Sequence, residues 1–531
     1  MGCAKEPDRK RIAGALYGVS TRKMVFAEEY IGLPMAVNVL DGSGDVVTEL
    51  DKVKGITRNY FQGLYHHDDP PDLPKPWFSS PLVTTIKKNV TQDLFIWPRL
   101  ANVDDFRAML RRGNHRPAPG PDGWEKWIVK NLSDSAVCLV LDLLNFIIMH
   151  SCFPGKVEDM WLTMFHKRGI HTSLTNWRGL MLSNFMANAP MTWLNYMLVP
   201  YAASKLLIPE TQVTTQQGVQ TRDVMSYLSA VKSFTNCHKQ TVYALQWDQM
   251  KGFDYLHPHG FYDAILAYSL LPEIIKLDKA AQKDTKVLIW TAYETTGPIV
   301  LNGVTKQGGP LSPIKSTMTT SLGHRYLDDL ACNLLDTLII KSKTSAHSPD
   351  DSRQLPVTMV EATNDSYIFA LTLHALQLFC LEMEHFQFTY GWTTQWAKTS
   401  AYLLGPLVPI ADTISMPSIM LQDGVHPHTV TWHKVPIRIG EFEFLRCKVD
   451  DLVWRFESTR PIVKNFKLPK FTIRAPITLL RKVIWQNLVS HIWALLSIQP
   501  IKPGDALSLD RMIASKIHFI TGFPITLTRR Y

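Results

Sequence analysis

Two short β-prone runs, Val357–Val360 and Tyr367–Ala370, flank the polar stretch Glu361-Ala362-Thr363-Asn364-Asp365-Ser366, a pattern that predicts a hairpin with an acidic turn. Far upstream, a further strand-like run, Thr241–Leu245, leads into Trp247-Asp248. Helical patterns surround these runs, over Asn102 to Arg112, from about Lys126, and through most of 462–531 after a Pro-interrupted start. A chain of 531 residues exceeds one compact core and implies roughly three or four packing units. With 46% apolar and 19% charged residues it has the composition of a globular protein, which excludes a disordered chain. Its longest apolar run, Val137 to Phe153, is broken by Asp142, Asn145 and His150, so a buried helix is expected rather than a membrane span.

Boundaries are marked by composition. Asp41-Gly42-Ser43-Gly44 reads as a turn between strand-like Ala36–Leu40 and Val46–Leu50. The Pro-rich stretch Asp69-Pro70-Pro71-Asp72-Leu73-Pro74-Lys75-Pro76 reads as a linker, and Lys341 to Leu355 as an exposed loop. Seven cysteines without a CxxC pair argue against a disulfide framework or a zinc site, and fit a reducing compartment. Lys5, Asp8, Arg9 and Lys10 occupy the place where a signal peptide needs apolar residues, so an intracellular location is expected. The net charge of +9 is uneven: Leu452 to Tyr531 holds 13 Lys and Arg against 3 Asp and Glu. Such a segment either meets a polyanion, most simply nucleic acid, or forms a solvated basic face.

Four segments carry a family resemblance. They are the loop Ala118-Pro119-Gly120-Pro121-Asp122-Gly123; Lys167-Arg168-Gly169 with Asn176-Trp177-Arg178-Gly179-Leu180; Trp247-Asp248-Gln249-Met250-Lys251-Gly252-Phe253-Asp254; and Lys306-Gln307-Gly308-Gly309-Pro310-Leu311-Ser312-Pro313. In this order they resemble the finger and palm motifs of LINE-type (non-LTR) retrotransposon reverse transcriptases, with Gly179 where that family carries Pro. The resemblance runs from roughly Ile56 to the end. It implies an α+β right hand: a region 1–76 ahead of the fingers, fingers over 77–235, a palm with an antiparallel sheet packed on helices over 236–450, and a basic helical thumb over 451–531. The implied activity is RNA-directed DNA polymerisation with an RNA template, a DNA primer and dNTPs. No membrane partner is implied, and work on chromosomal DNA would place the enzyme in the nucleus.

Nucleotidyl transfer of this kind uses two Mg²⁺ ions, for which Mn²⁺ can substitute, held by carboxylates converging from neighbouring strands. By resemblance Asp248 and Asp365 are the metal-binding carboxylates. Lys167 and Arg178 are the cations that grip the incoming triphosphate. Gln307 and Gly308 line the dNTP and template pocket. Phe253 is either the steric gate against a ribose 2′-hydroxyl or a core ring. Lys398, in Gly391-Trp392 to Ala397-Lys398-Thr399, is either a general acid near the leaving pyrophosphate or a surface lysine. Phe444-Leu445-Arg446-Cys447 resembles the primer-grip hairpin, and Asp254 reads as structural or capping.

Two segments compete for the second carboxylate pair. Tyr326-Leu327-Asp328-Asp329 spells Tyr-x-Asp-Asp outright, but it follows Pro313 too closely and its neighbours suit a helix. Ala362-Thr363-Asn364-Asp365 has strands on both sides and is the preferred assignment. It places Asn364 where the family carries its first Asp. Asparagine keeps the size and loses the charge, so Mg²⁺ affinity should fall. The expectation is therefore a reverse transcriptase of impaired activity or, as the alternative, a degenerate non-catalytic copy that binds nucleic acid.

Overall fold

The computed structural model describes residues 38–70, 72–95, 101–113, 117–155, 157, 159–167, 169–216, 218–219, 221–250, 252–283, 285–341, 354–363, 365–406, 411–421, 424–425, 430–438, 442–445, 447–449, 452–468, 473, 475–496 and 501–522. It is a mixed α/β structure whose sheets contain antiparallel strands. Two compact units interleave along the chain: residues 1–215, 249–329 and 382–394 form the first, and 216–248, 330–381 and 395–531 the second. The expected linear boundaries at 76, 235 and 450 do not coincide with this division.

The first unit is organised on a four-stranded sheet ordered Trp177–Ser183, Met160–His166, Lys286–Ile289, Ile299–Val300. Its hairpin runs antiparallel from Met160 opposite Ser183 to His166 opposite Trp177. Alternation along Met160–His166 buries Met160, Leu162 and Met164, which pack with Phe61, Leu64 and Tyr65 of the helix Leu50–Tyr65. Tyr65 reaches the hairpin at Gly179. A Cβ there would lie 2.4 Å from the Tyr65 hydroxyl and 2.9 Å from Leu162 Cδ1, so the glycine makes room for the ring. The loop Ala118–Gly123 is tied to the following helix, Phe185–Ser204: Asp122 accepts from the Phe185 N–H at 3.0 Å, and its own N–H donates to Asn184 Oδ1 at 2.8 Å.

The second unit is built on a six-stranded sheet in the order Met359–Ala362, Asp365–Ala370, Val242–Asp248, Ser400–Leu404, Thr431–Arg438, Thr413–Ser418. All neighbours are antiparallel except Ser400–Leu404 with Thr431–Arg438. Ser366 through Ala370 is buried at every position, because this strand is interior and both its faces are covered. The basic C-terminal region forms helices Leu452–Asn465, Ile477–Ile484, Ser490–Leu496 and Pro503–Thr521 around Val463, Leu488, Ile492 and Leu509.

The predicted hairpin around residues 361–366 is present, but Val357 and Val360 belong to different strands separated at Thr358. Lys341 and Leu355 are not loop: Leu338–Lys341 pairs with Gln354–Val357, and 342–353 lie outside the described residues. Leu50 starts a helix instead of ending a strand; Val46–Val47 alone pairs with Val39–Leu40. The apolar run forms the helix Asp134–His150, which buries Leu141, Leu144, Ile147 and Ile148 but exposes Leu139, Leu143, Phe146 and Met149. Its apolar residues fall on both faces, so hydropathy could not mark the outside. No helix among the described residues is long and apolar enough to cross a membrane.

Gly179→Ala is expected to destabilise the chain by about 1–3 kcal/mol through overpacking. Tyr65→Phe removes the nearest obstructing atom, so the double variant should lose less than the sum of the two single losses in a urea-denaturation cycle. Strict additivity would show that the hydroxyl is not what excludes a side chain at position 179.

Candidate functional site

Asp248 is the last residue of the central strand Val242–Asp248, and Asp365 is the first of its neighbour Asp365–Ala370. The antiparallel register sets the two residues directly opposite one another. Directly opposed residues share a sheet face with Cβ atoms about 4.5–5.5 Å apart, and like charges in that position repel. This strand end thus brings two acidic residues to one face of the sheet.

The turn before Asp365 is short. Ala362 pairs with Asp365, and Thr363 between them is left-handed at φ 66°. Asn364 lies outside the described residues. On the other side of the central strand, Gln395 donates its N–H to the Asp248 carbonyl at 2.8 Å and starts the turn that carries Lys398. Lys398 Nζ comes within 3.3 Å of Asp248 Oδ2. The lysine is mostly exposed, so the pair adds little stability.

Sequence reasoning missed the polar support behind the acids. Gln246, two residues before Asp248 and on the same face, accepts from Ser400 at 3.2 Å and from Tyr402 at 3.1 Å. Strand alternation was the available signal. On that face, too, the hairpin of Glu443–Phe444 with Cys447–Lys448 packs against the sheet: Phe442 meets Tyr367 edge-on and Phe444 meets it at a tilt, and the Tyr367 hydroxyl donates to the Glu443 carbonyl. Burial pushes the Tyr367 phenol well above its ordinary range. Arg446, within the same hairpin, lies outside the described residues.

The other predicted residues fall in the first unit. Arg178 stands opposite Phe165 on the exposed side of the hairpin, and Lys167 follows the strand end, its N–H bonded to the Asn176 carbonyl at 2.8 Å. Gln307 and Gly308 abut the same strand: the Gln307 carbonyl accepts from the Met181 N–H at 3.1 Å. Gly308 has φ 101°, and a Cβ there would lie 2.8 Å from Leu180 Cδ1, so its backbone conformation and its neighbours both require glycine. Phe253 is half-buried on the short helix Gly252–Tyr255, beside the buried Asp254. Burial first, and then the charge of Asp254, raises the phenol of Tyr65 well above its ordinary range, while Arg178 acts to lower it. Arg178, Tyr65 and Asp254 are therefore close enough to sense one another, and Asp254 does its work inside the fold.

Tyr326 to Asp329 lies on the helix Ser312–Asn333 and on no strand. The Asp329 carboxylate accepts from the Ser80 hydroxyl and from the Leu82 N–H at 3.3 Å, at the start of the helix Pro81–Gln92. Tyr326 donates to Glu382 at 3.1 Å. Both side chains are engaged in packing the first unit.

A second cluster was not anticipated. His257 is 5% exposed and its Nε2 lies 3.5 Å from Asp69 Oδ1, with His259 Nδ1 at 3.9 Å from the same oxygen. Burial, reinforced by His259, pushes His257 down to about 4. The His-x-His spacing at 257–259 was its signal in the sequence. No protein-family model matches the chain, and no curated protein matches it.

Two outcomes follow. Asp329→Ala should cost about 1 kcal/mol in urea denaturation by uncapping the helix Pro81–Gln92; an unchanged midpoint would remove the capping role. For His257, the folded state holds the neutral form while the unfolded chain takes up a proton below its ordinary value of 6.5. Stability should be fully present above pH 6.5 and fall by up to roughly 3 kcal/mol as pH drops from there towards 4. His257→Gln should flatten that part of the stability–pH curve, and parallel curves for the two proteins would refute the burial argument.

Proposed function

We propose that this chain is an RNA-directed DNA polymerase of the LINE type, acting by two-metal nucleotidyl transfer. The observation that carries the reading is the opposition of Asp248 and Asp365 at the end of adjacent antiparallel strands. Two carboxylates fixed on one face offer hard oxygen ligands to Mg²⁺, which would offset their repulsion and polarise an α-phosphate. Lys398, which pairs with Asp248 at 3.3 Å, would turn to the leaving pyrophosphate once a cation takes its place.

In this reading each predicted residue takes the role that the resemblance gives it. Arg178 grips the triphosphate with a planar fork and Lys167 with a mobile point charge. Gln307 and Gly308 line the nucleotide pocket, and Phe253 is the gate against ribose. The Phe442–Val449 hairpin, lying on the same sheet face as the acids, would guide the primer end. The C-terminal helices would follow the duplex backbone. Their exposed Trp485 and Trp493, with ring centroids 6.2 Å apart and Arg481 and Lys482 just upstream, have the aromatic and basic character that nucleic acid binding uses.

Asn364 favours a second reading, a non-catalytic nucleic-acid-binding remnant with the same fold. Primer extension on an RNA template separates the two. Asn364→Asp should raise Mg²⁺-dependent extension by at least ~10-fold, the scale expected when a charged metal ligand is restored. Asp248→Ala should abolish extension in either background. Salt-sensitive duplex binding without extension by the native chain or by Asn364→Asp would establish the remnant. Extension that survives Asp248→Ala would sink the assignment of the site itself.

A further inference from the structure

We propose that Asp69, His257 and His259 form a three-ligand site for a divalent transition-metal ion of the zinc class, with the fourth position open to the adjoining cavity. The three residues offer ligand atoms that all lie within 4.8 Å of one another. Tetrahedral coordination with bonds near 2.0–2.1 Å sets neighbouring ligand atoms roughly 3.4 Å apart. The observed separations of 3.5 and 3.9 Å to Asp69 Oδ1 need only small side-chain adjustments to reach it.

The backbone around the site is already fixed. Tyr65 and His67 are hydrogen-bonded to Asn302 through main-chain contacts of 3.0 Å each, and the Asn302 amide donates to the His67 carbonyl at 2.9 Å. These bonds place Asp69 at the start of the Pro-rich stretch against the 257–259 turn. Gly303 keeps space at the ring edge of His257, because a Cβ there would fall 2.9 Å from Nε2.

His257 presents a buried Nε2 that makes no hydrogen bond, with Asp69 Oδ1 at 3.5 Å. A buried ring nitrogen left in that state costs stability unless something occupies it. Its Nδ1 accepts from the His259 N–H at 3.3 Å, a long contact. Metal at Nε2 moves the ring proton to Nδ1, which breaks that bond and turns Nδ1 from acceptor to donor beside the His259 N–H, a cost that the metal bond must exceed.

Donor chemistry selects the class of ion. Two imidazoles and one carboxylate suit zinc and its first-row neighbours, whereas Mg²⁺ prefers oxygen ligands alone. Three protein ligands leave a position for water or for a bound group, as in an open site. The cavity beside the cluster encloses about 380 Å³, and Lys279 and Lys283 line it, so an anion is the group it would receive. This site is separate from the Asp248 and Asp365 pair and does not depend on the polymerase reading.

The test is Zn²⁺ uptake by the untagged full chain, measured by equilibrium dialysis with elemental analysis. The native chain should retain one more equivalent than the Asp69→Ala, His259→Ala double variant. Asp69 is largely exposed, so Asp69→Ala alone, which leaves the core intact, should already weaken uptake by ~10-fold or more. Excess Mg²⁺ should not displace the ion, and the Asp248→Ala, Asp365→Ala chain should keep it. Equal uptake by the native and double-variant chains would overturn the site. Displacement by Mg²⁺, or loss in the Asp248→Ala, Asp365→Ala chain, would also overturn it by assigning the metal to oxygen ligands elsewhere.

Discussion

The antiparallel pairing of Val242–Asp248 with Asp365–Ala370 is the constraint on which the second unit depends. It joins segments far apart in the chain, and its register decides which side chains share a face. A slip of one residue would send Asp365 to the opposite face and set its charge beside Trp247 and Leu245. The apolar residues of both strands therefore hold the register that opposes the two acids.

A similar economy holds in the first unit, where polar residues that resemble catalytic ones serve the fold. Asp122 binds the start of one helix and Asp329 the start of another, each using a carboxylate to satisfy N–H groups that a helix leaves unpaired. Asp254 sits among Tyr60, Tyr65 and Tyr255, where burial keeps the phenols protonated in its presence. Gly179 is explained by a ring: the Tyr65 hydroxyl occupies the space where a Cβ would stand.

The His257 cluster shows a different use of burial. A histidine inside the fold with an unbonded nitrogen, facing a carboxylate on a Pro-rich segment, is unfavourable as an isolated arrangement and favourable once an ion completes it. Cysteine spacing, the usual guide to zinc, carries no information about ligand sets made of His and Asp. That is why the cysteine pattern gave no sign of the cluster, which the folded chain gathers from Asp69, His257 and His259 with ligand atoms within 4.8 Å of one another.

What the sequence determined by itself was local. Alternating apolar residues and a polar turn marked the hairpin at 361–366, helical periodicity marked 102–112 and the C-terminal region, and the strand before Asp248 was legible from its β-prone residues. The helical surroundings of Tyr326 to Asp329 were legible as well, because Asp-Asp within a helix-forming stretch lacks the flanking strands a hairpin needs. Tertiary structure decided what local pattern cannot carry. It alone set the register that opposes Asp248 and Asp365, the exposed side of the 134–150 helix, the close approach of Tyr65 to Gly179, and the meeting of Asp69 with His257 and His259. Each of these is a contact between residues distant in the chain, and propensity describes only neighbours along it.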